Sequence, residues 1–291
     1  MRLGLQMPVF SHASTANLAG WLKDAAQAAD ENDFASLWVM DHFFQLGGWL
    51  GPAEDPMLEG YSTLSYLAGL TRQIMLGTMV TGVIYRYPAV LVKTVTTLDV
   101  LSGGRAYFGV GAAWNEHESN SLGLPFPPVR ERFELLEETL QLAHQMWKED
   151  SSAFKSKHID APYPHCNPQP IHKPHPPILI GGMGEKKTLR FVAQYGDACN
   201  LFGRAEDDVL KHKLEVLKGH CDDLGRDYGE IHKTTLFTIN PAEESNDEIL
   251  GSLGRFAGLG FDEVIVNIGH AYDADLVARI GQEIVPQAAA L

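Results

Sequence analysis

Basic residues are scarce in this chain of 291 residues. Lysine and arginine together number 23, against 37 aspartates and glutamates, so the formal net charge is −14. Non-specific binding to nucleic acids and binding to an anionic membrane surface both depend on positive charge. We therefore expect neither a nucleic acid nor a membrane as a partner.

Cysteine and long apolar runs are also scarce. The sequence has 3 cysteines without a C-x-x-C spacing, which disfavours a disulfide framework and fits a reducing compartment. It has no run of about 18 apolar residues of the kind that spans a membrane. The N-terminal stretch lacks the apolar core and cleavage site of a signal peptide. These features predict a globular, cytoplasmic protein.

Motifs of several enzyme classes are missing. The first predicted strand is not followed by G-x-G-x-x-G, and the sequence has neither a Walker loop nor a G-x-S-x-G motif. This disfavours a dinucleotide-binding Rossmann domain and a serine hydrolase. The histidines between residues 158 and 175 do not have the spacing of a structural zinc site, so no metal is expected.

What the sequence does contain is an alternation of short apolar runs and helical patterns. The runs begin with "RLGLQM" and end with "EVIVNI", and helical stretches such as residues 132–147 lie between them. About eight strand–helix units in one domain (1–291) predict an α/β fold, a (β/α)8 TIM barrel. A Pro- and His-rich insertion at about 150–176 precedes strand 5. A doubly wound open sheet is the alternative.

The strand "SLWVM" leads directly into Asp41 and His42. Active sites of such barrels lie at the carboxyl ends of the strands, so both residues are expected at the site. Imidazole titrates near neutral pH, which suits His42 to proton transfer beside a ligand. The alternative is structural: Asp41 caps the following turn, and His42 is a rim residue with satisfied polar atoms.

Two further strand ends carry glycines. Gly181, Gly182, Met183 and Gly184 would gather backbone N–H groups at the start of a helix, which suits a phosphate, although a tight turn would use the same residues. Another helix opens after Gly111, with Asn115 and Glu116 in its first turn. Carboxylates are favoured there by the helix dipole alone.

The order of these motifs resembles a known family over nearly the whole chain. The similarity is carried by "SLWVMDHFF", "LGTMVTGVIYRYPAVLVKTVTTLDVLSGGRAYFGVGAAWNEHE" and "PPILIGGMGEKKTLRFVAQYGDACNLF". On these stretches the protein is similar to the luciferase-like (β/α)8 oxidoreductases, and within them to the branch that uses the deazaflavin coenzyme F420.

The resemblance implies roles for individual residues. Asp41 and His42 match the pair that faces the cofactor, with His42 near the carbon that exchanges the hydride. Met79 and Val80 match a bulge behind the central ring, where we expect a cis peptide bond. The other cofactor-binding residues are expected to be Gly111 and Asn115 in the fourth-strand region and Gly181, Gly182, Met183 and Gly184 around the phosphate.

The family also implies hydride transfer between the deazaflavin and a small organic substrate. His42 would give or take the matching proton, and Glu116 is a second candidate catalytic residue. Sugar-phosphate dehydrogenases of the family carry a glutamate directly after the fourth-strand glycines, where this sequence has Ala112 and Ala113. Glucose-6-phosphate is therefore not favoured as the substrate. Loops 43–60 and 150–176 are expected to line the substrate pocket.

Two other functions stay open at this point. The first is an FMN-dependent monooxygenase on the same barrel, which would need oxygen and a reductase. The second is a cofactor-binding protein without catalysis of its own. The resemblance also implies a homodimer, because the family often forms dimers.

Overall fold

The structure is a computed structural model that describes residues 1–269 and 272–291. Its strands, in chain order, are β1 (Arg2–Met7), β2 (Ser36–Val39), β3 (Met75–Thr78), β4 (Thr81–Gly82), β5 (Phe108–Gly111), β6 (Phe154–Lys155), β7 (Asp160–Ala161), β8 (Ile178–Gly181), β9 (Ala198–Phe202), β10 (His232–Ile239) and β11 (Glu263–Ile268). Its α-helices are α1 (Leu18–Glu31), α2 (Gly60–Ala68), α3 (Pro88–Ser102), α4 (Glu116–Ser121), α5 (Val129–Trp147), α6 (Thr188–Tyr195), α7 (Asp207–Leu224), α8 (Asn246–Leu259), α9 (Ala274–Glu283) and α10 (Val285–Ala288).

Parallel strands form the centre of the molecule. Within the described residues, nine strands lie in one sheet in the order β3-β2-β1-β11-β10-β9-β8-β5-β4. The short β4 follows β3 after two residues, so the pair makes up the third strand of the barrel. A parallel bridge between Leu76 and Ala106 joins the two ends of the sheet. The predicted (β/α)8 barrel is therefore confirmed, and the open-sheet alternative is wrong.

The barrel interior is filled by side chains. Successive residues of a strand point to opposite faces, so one set faces the interior and the other set faces the helices. Glycines make room where two strands approach closely. A Cβ atom on Gly77 would lie 2.5 Å from the Trp38 ring, and one on Gly109 would lie 1.9 Å from the Thr78 carbonyl oxygen. The interior cluster consists of Trp38, Met79, Tyr107, Leu179, Ala198 and Ile265.

The helices begin and end at residues suited to those positions. Helix α3 begins at Pro88, whose fixed backbone suits a first turn, and ends before Gly103 at a φ of 74°. Helix α8 follows a capping box formed by Ser245 and Glu248. Such signals set the loop lengths between strands and helices. The loops that follow the strands all meet at one end of the barrel, called the mouth below.

The peptide bond between Met79 and Val80, which lie between β3 and β4, is cis. The cis bond predicted at this position is confirmed.

The insertion lies away from the mouth. It runs from the end of α5 to the start of β8, the fifth strand of the barrel, and contains the antiparallel hairpin β6–β7. Within it, the Ile171 backbone N–H donates to Asp99 at 2.7 Å, and Gln169 donates to the Met146 carbonyl oxygen at 2.9 Å. These contacts place it against α3 and α5, so they do not support the expectation that it lines the substrate pocket.

None of the helices within residues 1–269 and 272–291 combines the length and apolar character needed to cross a bilayer. The 3 cysteines are buried and free.

Candidate active site

The strand ends bring the predicted site residues to the same end of the barrel. Asp41 and His42 follow β2, and Met79 and Val80 lie between β3 and β4. Gly111 is the last residue of β5, and Asn115 lies just before α4. The loop from Gly181 to Gly184 follows β8, the next strand of the barrel. Strand order alone therefore brings these residues to one end of the barrel.

Asp41 is fully buried and faces the outside of the barrel wall, against the start of α2. An unpaired carboxylate there would be unfavourable, but Arg86 donates two hydrogen bonds to it, at 2.6 and 3.0 Å. The same guanidinium also pairs with Glu59. The Asp41 side chain is thus held by Arg86.

Arg86 joins three segments of the mouth. Its partner Asp41 follows β2, its partner Glu59 caps the start of α2, and Arg86 itself precedes α3. The guanidinium also lies 4.7 Å from the centre of the Tyr61 ring, a cation–π contact. Burial alone would lower the pKa of Arg86, but the hydrogen bonds and charge of Asp41 raise it above its ordinary value. Arg86 therefore remains a cation.

His42 pairs with a carboxylate that comes from another loop. Its Nδ1 atom lies 2.8 Å from Oε2 of Glu118, which is in the first turn of α4 and is fully buried. An ionised carboxylate only accepts hydrogen bonds, so the Nδ1 atom must carry the proton of this contact. The Nε2 atom is then the ring nitrogen left to exchange a proton with a bound molecule.

Glu118 accepts hydrogen bonds on both oxygens. Oε1 accepts from the backbone N–H groups of Phe43 and Phe44, at 2.5 and 3.0 Å, and Oε2 also accepts from the Tyr85 hydroxyl at 2.8 Å. Burial by itself would raise the pKa of Glu118. The hydrogen bond and charge of His42, followed by the hydrogen bonds from Phe43 and Tyr85, have a larger effect than burial and lower the pKa of Glu118. Glu118 is an anion that orients His42.

Tyr85 stays protonated in this arrangement. Burial, followed by the hydrogen bond to Glu118 and its negative charge, raises the pKa of the Tyr85 hydroxyl above its ordinary value. The ring is also in edge contact with His42, with ring centres 6.4 Å apart. Tyr85 therefore acts as a fixed donor to Glu118.

The side chain of Val80, which follows β3, lies against the last glycines of β5 and β8. Cβ atoms on Gly111 and Gly181 would each lie 3.0 Å from a methyl group of Val80. The side chain of Val80 thus occupies space that these glycines leave free. Three predicted cofactor-binding residues are in this way brought into contact.

The loop after β8 is a constrained turn at the start of α6. Gly182 has a φ of 120°, which favours glycine, and its N–H donates to the Asn200 carbonyl oxygen at 3.1 Å. The Gly184 carbonyl oxygen accepts from the Leu189 N–H at 3.0 Å, and Met183 packs against the core. The Gly182 N–H is thus already bonded, so any phosphate would be bound by other N–H groups of this loop.

Glu116 and Asn115 have different positions from Glu118. Glu116 is exposed at the first residue of α4, whereas Asn115 caps that helix and accepts a hydrogen bond from the Glu118 N–H at 3.2 Å. The carboxylate that contacts His42 is therefore Glu118. Glu118, Tyr85 and Arg86 are site residues that the sequence did not predict.

The family model of the luciferase-like monooxygenases matches residues 1–270. The chain belongs to this family. An F420-dependent glucose-6-phosphate dehydrogenase from Kineococcus radiotolerans is 31% identical over 221 residues, which cover 74% of this chain and 62% of that protein. A pyrimidine monooxygenase RutA from Allorhizobium ampelinum is 25% identical over 248 residues, 78% of this chain and 64% of that protein. The chain thus spans less than two thirds of either relative.

Solved structures with the same architecture cover the whole length of this luciferase-like protein. An F420-dependent secondary alcohol dehydrogenase in complex with an F420–acetone adduct has a TM-score of 0.83 and 17% identity, and the match covers 99% of this chain and 98% of that one. Monooxygenase RslO1 from Streptomyces bottropensis has a TM-score of 0.81 and 17% identity, with 98% and 99% covered. At such identities the likeness shows the fold.

The family membership predicted from sequence is confirmed. Within the part of the chain that the structure describes, no three His, Cys, Asp or Glu side chains form a group that could hold a metal ion.

Replacing Glu118 with glutamine is expected to destabilise this luciferase-like protein most at neutral pH. The folded-state pKa of Glu118 lies below its ordinary value of 4.5. Its ionised form therefore contributes stability above about pH 4.5 that is lost as the pH falls through the lower, folded-state value. The amide cannot accept all the same hydrogen bonds, so we expect a loss of about 1–3 kcal/mol at pH 7.

The measurement is the free energy of unfolding in denaturant from pH 7 down to pH 3, for the wild type, Glu118→Gln and the control Glu116→Gln. The difference in the free energy of unfolding between the wild type and Glu118→Gln should become smaller as the pH falls. Glu116→Gln is the matched control on the same helix turn and should follow the wild type throughout. A difference that does not change with pH would contradict the ionised state assigned to Glu118.

Proposed function

We propose that this protein is an F420-dependent oxidoreductase that transfers a hydride between the deazaflavin and a small organic molecule. The single observation that carries the proposal is His42, fixed through Nδ1 by the buried Glu118 at the mouth of the barrel. The relatives support the choice of cofactor. They include an F420-dependent glucose-6-phosphate dehydrogenase, and the structural neighbours include an F420-dependent secondary alcohol dehydrogenase.

The residues present fit a flat ring at the mouth. Glycines at positions 111 and 181 leave the space that the apolar side chain of Val80 occupies, so this part of the wall carries no polar side chain from these three residues. Asn267, on β11, alternates with the interior residue Ile265 and so also faces the interior. Its Oδ1 atom is buried and has no hydrogen-bond partner among the described residues. A ring N–H would satisfy this acceptor.

Residues from several strand ends would hold the cofactor. When bound, the cofactor would accept or donate a hydride, which carries two electrons. Val80 and Met79 would support the ring from the third strand. We assign the remaining contacts to His42 after β2, to Gly111 and Asn115 near β5, and to Gly181, Gly182, Met183 and Gly184 after β8. Asp41, which Arg86 holds on the outer face of the barrel wall, would fix the loop that carries His42.

His42 moves the proton. When an alcohol is oxidised, the hydroxyl proton would pass to the free Nε2 atom, and in reduction the same atom would give it back. Glu118 holds the imidazole ring in place during this step, because it accepts the hydrogen bond from Nδ1. Glu116, which is exposed, is retained as the alternative proton donor.

A titration with the two candidate cofactors tests this function. We expect the oxidised deazaflavin F420 to bind with a dissociation constant at least about tenfold lower than that of FMN, a difference of about 1.4 kcal/mol. The measurement is quenching of intrinsic tryptophan fluorescence, with each cofactor also tested as competitor of the other.

Tighter binding of FMN would instead favour the monooxygenase function. Tight F420 binding without conversion of any alcohol, ketone, enone or imine would favour a cofactor-binding protein. The homodimer and the cytoplasmic location stay predictions.

A further inference from the structure

An exposed tryptophan stands beside His42. Trp114 follows β5, is 64% exposed, and meets His42 edge to face with ring centres 5.6 Å apart. Single exposed apolar side chains are common on protein surfaces, but a contiguous apolar patch can mark a ligand-binding groove. This ring is next to the group to which we assign proton transfer.

The chain holds Trp114 in a defined place. The preceding residue, Ala113, has a φ of 62°, a left-handed conformation that residues other than glycine rarely adopt. Arg132 donates to the Ala112 carbonyl oxygen at 3.1 Å, and Asn115 begins α4 as its cap. The strained residue thus lies between two anchored residues, and strain of this kind clusters at functional sites.

The surroundings of His42 are aromatic. Besides Trp114, the Tyr85 ring contacts His42, and Tyr85 in turn contacts Phe43 with ring centres 5.3 Å apart. These rings form a wall that would suit an apolar group.

Two arginines near this wall are already engaged. Arg86 is held by Asp41 and Glu59. Arg132 is bonded to two backbone carbonyl oxygens and stacked on Phe126. The exposed Arg204 follows β9, which lies opposite β2 in the strand order of the barrel. Neither Arg86 nor Arg132 is therefore free to bind a phosphate on a substrate next to His42.

We propose that the substrate is an uncharged molecule whose apolar, ring-sized part packs on Trp114, and that Trp114 determines this specificity. The inference rests on the proposed function. In the oxidising direction the C–H bond breaks and its electron pair leaves as hydride to oxidised F420. The O–H proton goes to His42 Nε2, and the carbonyl forms. The substrate loses two electrons and F420 gains them.

The test compares cyclohexanol with glucose-6-phosphate on the F420-loaded protein, by following the loss of oxidised F420. We expect cyclohexanol to have the higher kcat/KM. Trp114→Ala should raise the KM for cyclohexanol by about 10-fold, the scale on which apolar pockets discriminate, while kcat changes less. Trp114→Phe should retain most of the affinity.

Tyr163→Ala is the matched control, since it removes an exposed ring in the insertion, away from the mouth. It should leave the KM for cyclohexanol and the dissociation constant of F420 unchanged. The F420 dissociation constant of Trp114→Ala shows whether that variant retains its cofactor site.

The outcomes separate the two proposals. If F420 does not bind, the proposed function falls, and this inference with it. If F420 binds but glucose-6-phosphate has the higher kcat/KM, only the substrate inference is overturned. The same holds if Trp114→Ala leaves the KM unchanged, or if the protein converts neither cyclohexanol nor cyclohexanone.

Discussion

Replacing His42 with alanine is expected to lower turnover by about 10²–10⁴-fold, the usual contribution of a positioned general acid or base. The Nε2 atom is the only ring nitrogen of His42 left to exchange a proton, because Nδ1 is bonded to Glu118 at 2.8 Å. The dissociation constant of F420 should change far less, since the proposed ring and phosphate contacts from Val80 and the loop after β8 remain. Stopped-flow turnover and fluorescence titration measure the two effects.

His42→Asn is the informative companion of this variant. Asparagine keeps hydrogen bonding but cannot transfer a proton near neutral pH, so it should remain as slow as alanine. Near-native turnover of His42→Asn would show that His42 only binds, and Glu116 would then be the first residue to test as the proton donor. Glu116→Gln alone should otherwise leave turnover unchanged.

The local periodicities of the sequence are sufficient to predict the barrel and its strand ends. Apolar runs followed by helical patterns predict alternating strands and helices, and parallel strands bring their carboxyl ends to one edge. This places Asp41, His42 and the glycine loops together. Alternation along β2 also predicts that Asp41 and His42 point to opposite faces, and in the structure Asp41 meets Arg86 while His42 meets Glu118.

The partners of these residues could not be predicted in the same way. Glu118 is 76 residues from His42 along the chain, and Arg86 is 45 residues from Asp41. Glu116 and Glu118 both lie in the first turn of α4, but side chains two apart on a helix face different directions. Which of them turns inward depends on where the helix starts, and that is set by the cap at Asn115.

Arg86→Met is expected to lower the free energy of unfolding by about 3–5 kcal/mol, the usual result of removing one partner of a buried ion pair. Asp41 is fully buried, and the Arg86 side chain is only 16% exposed. Methionine fills similar volume but leaves Asp41, whose pKa is already raised by burial, without its two charged hydrogen bonds. The measurement is the denaturant midpoint at an unchanged slope, which separates stability from a change in compactness.

The double variant Asp41→Asn with Arg86→Met shows whether the loss of stability comes from the unpaired charge of Asp41. An amide in place of the carboxylate removes that charge, so the double variant should be more stable than Arg86→Met alone. A double-mutant cycle with Asp41→Asn then gives the coupling between the two side chains, which should be at the upper end of the 0.5–3 kcal/mol range typical of contacting residues. A double variant no more stable than Arg86→Met would assign the loss to the contacts of Arg86 with Glu59 and Tyr61, and the burial of Asp41 would then need another explanation.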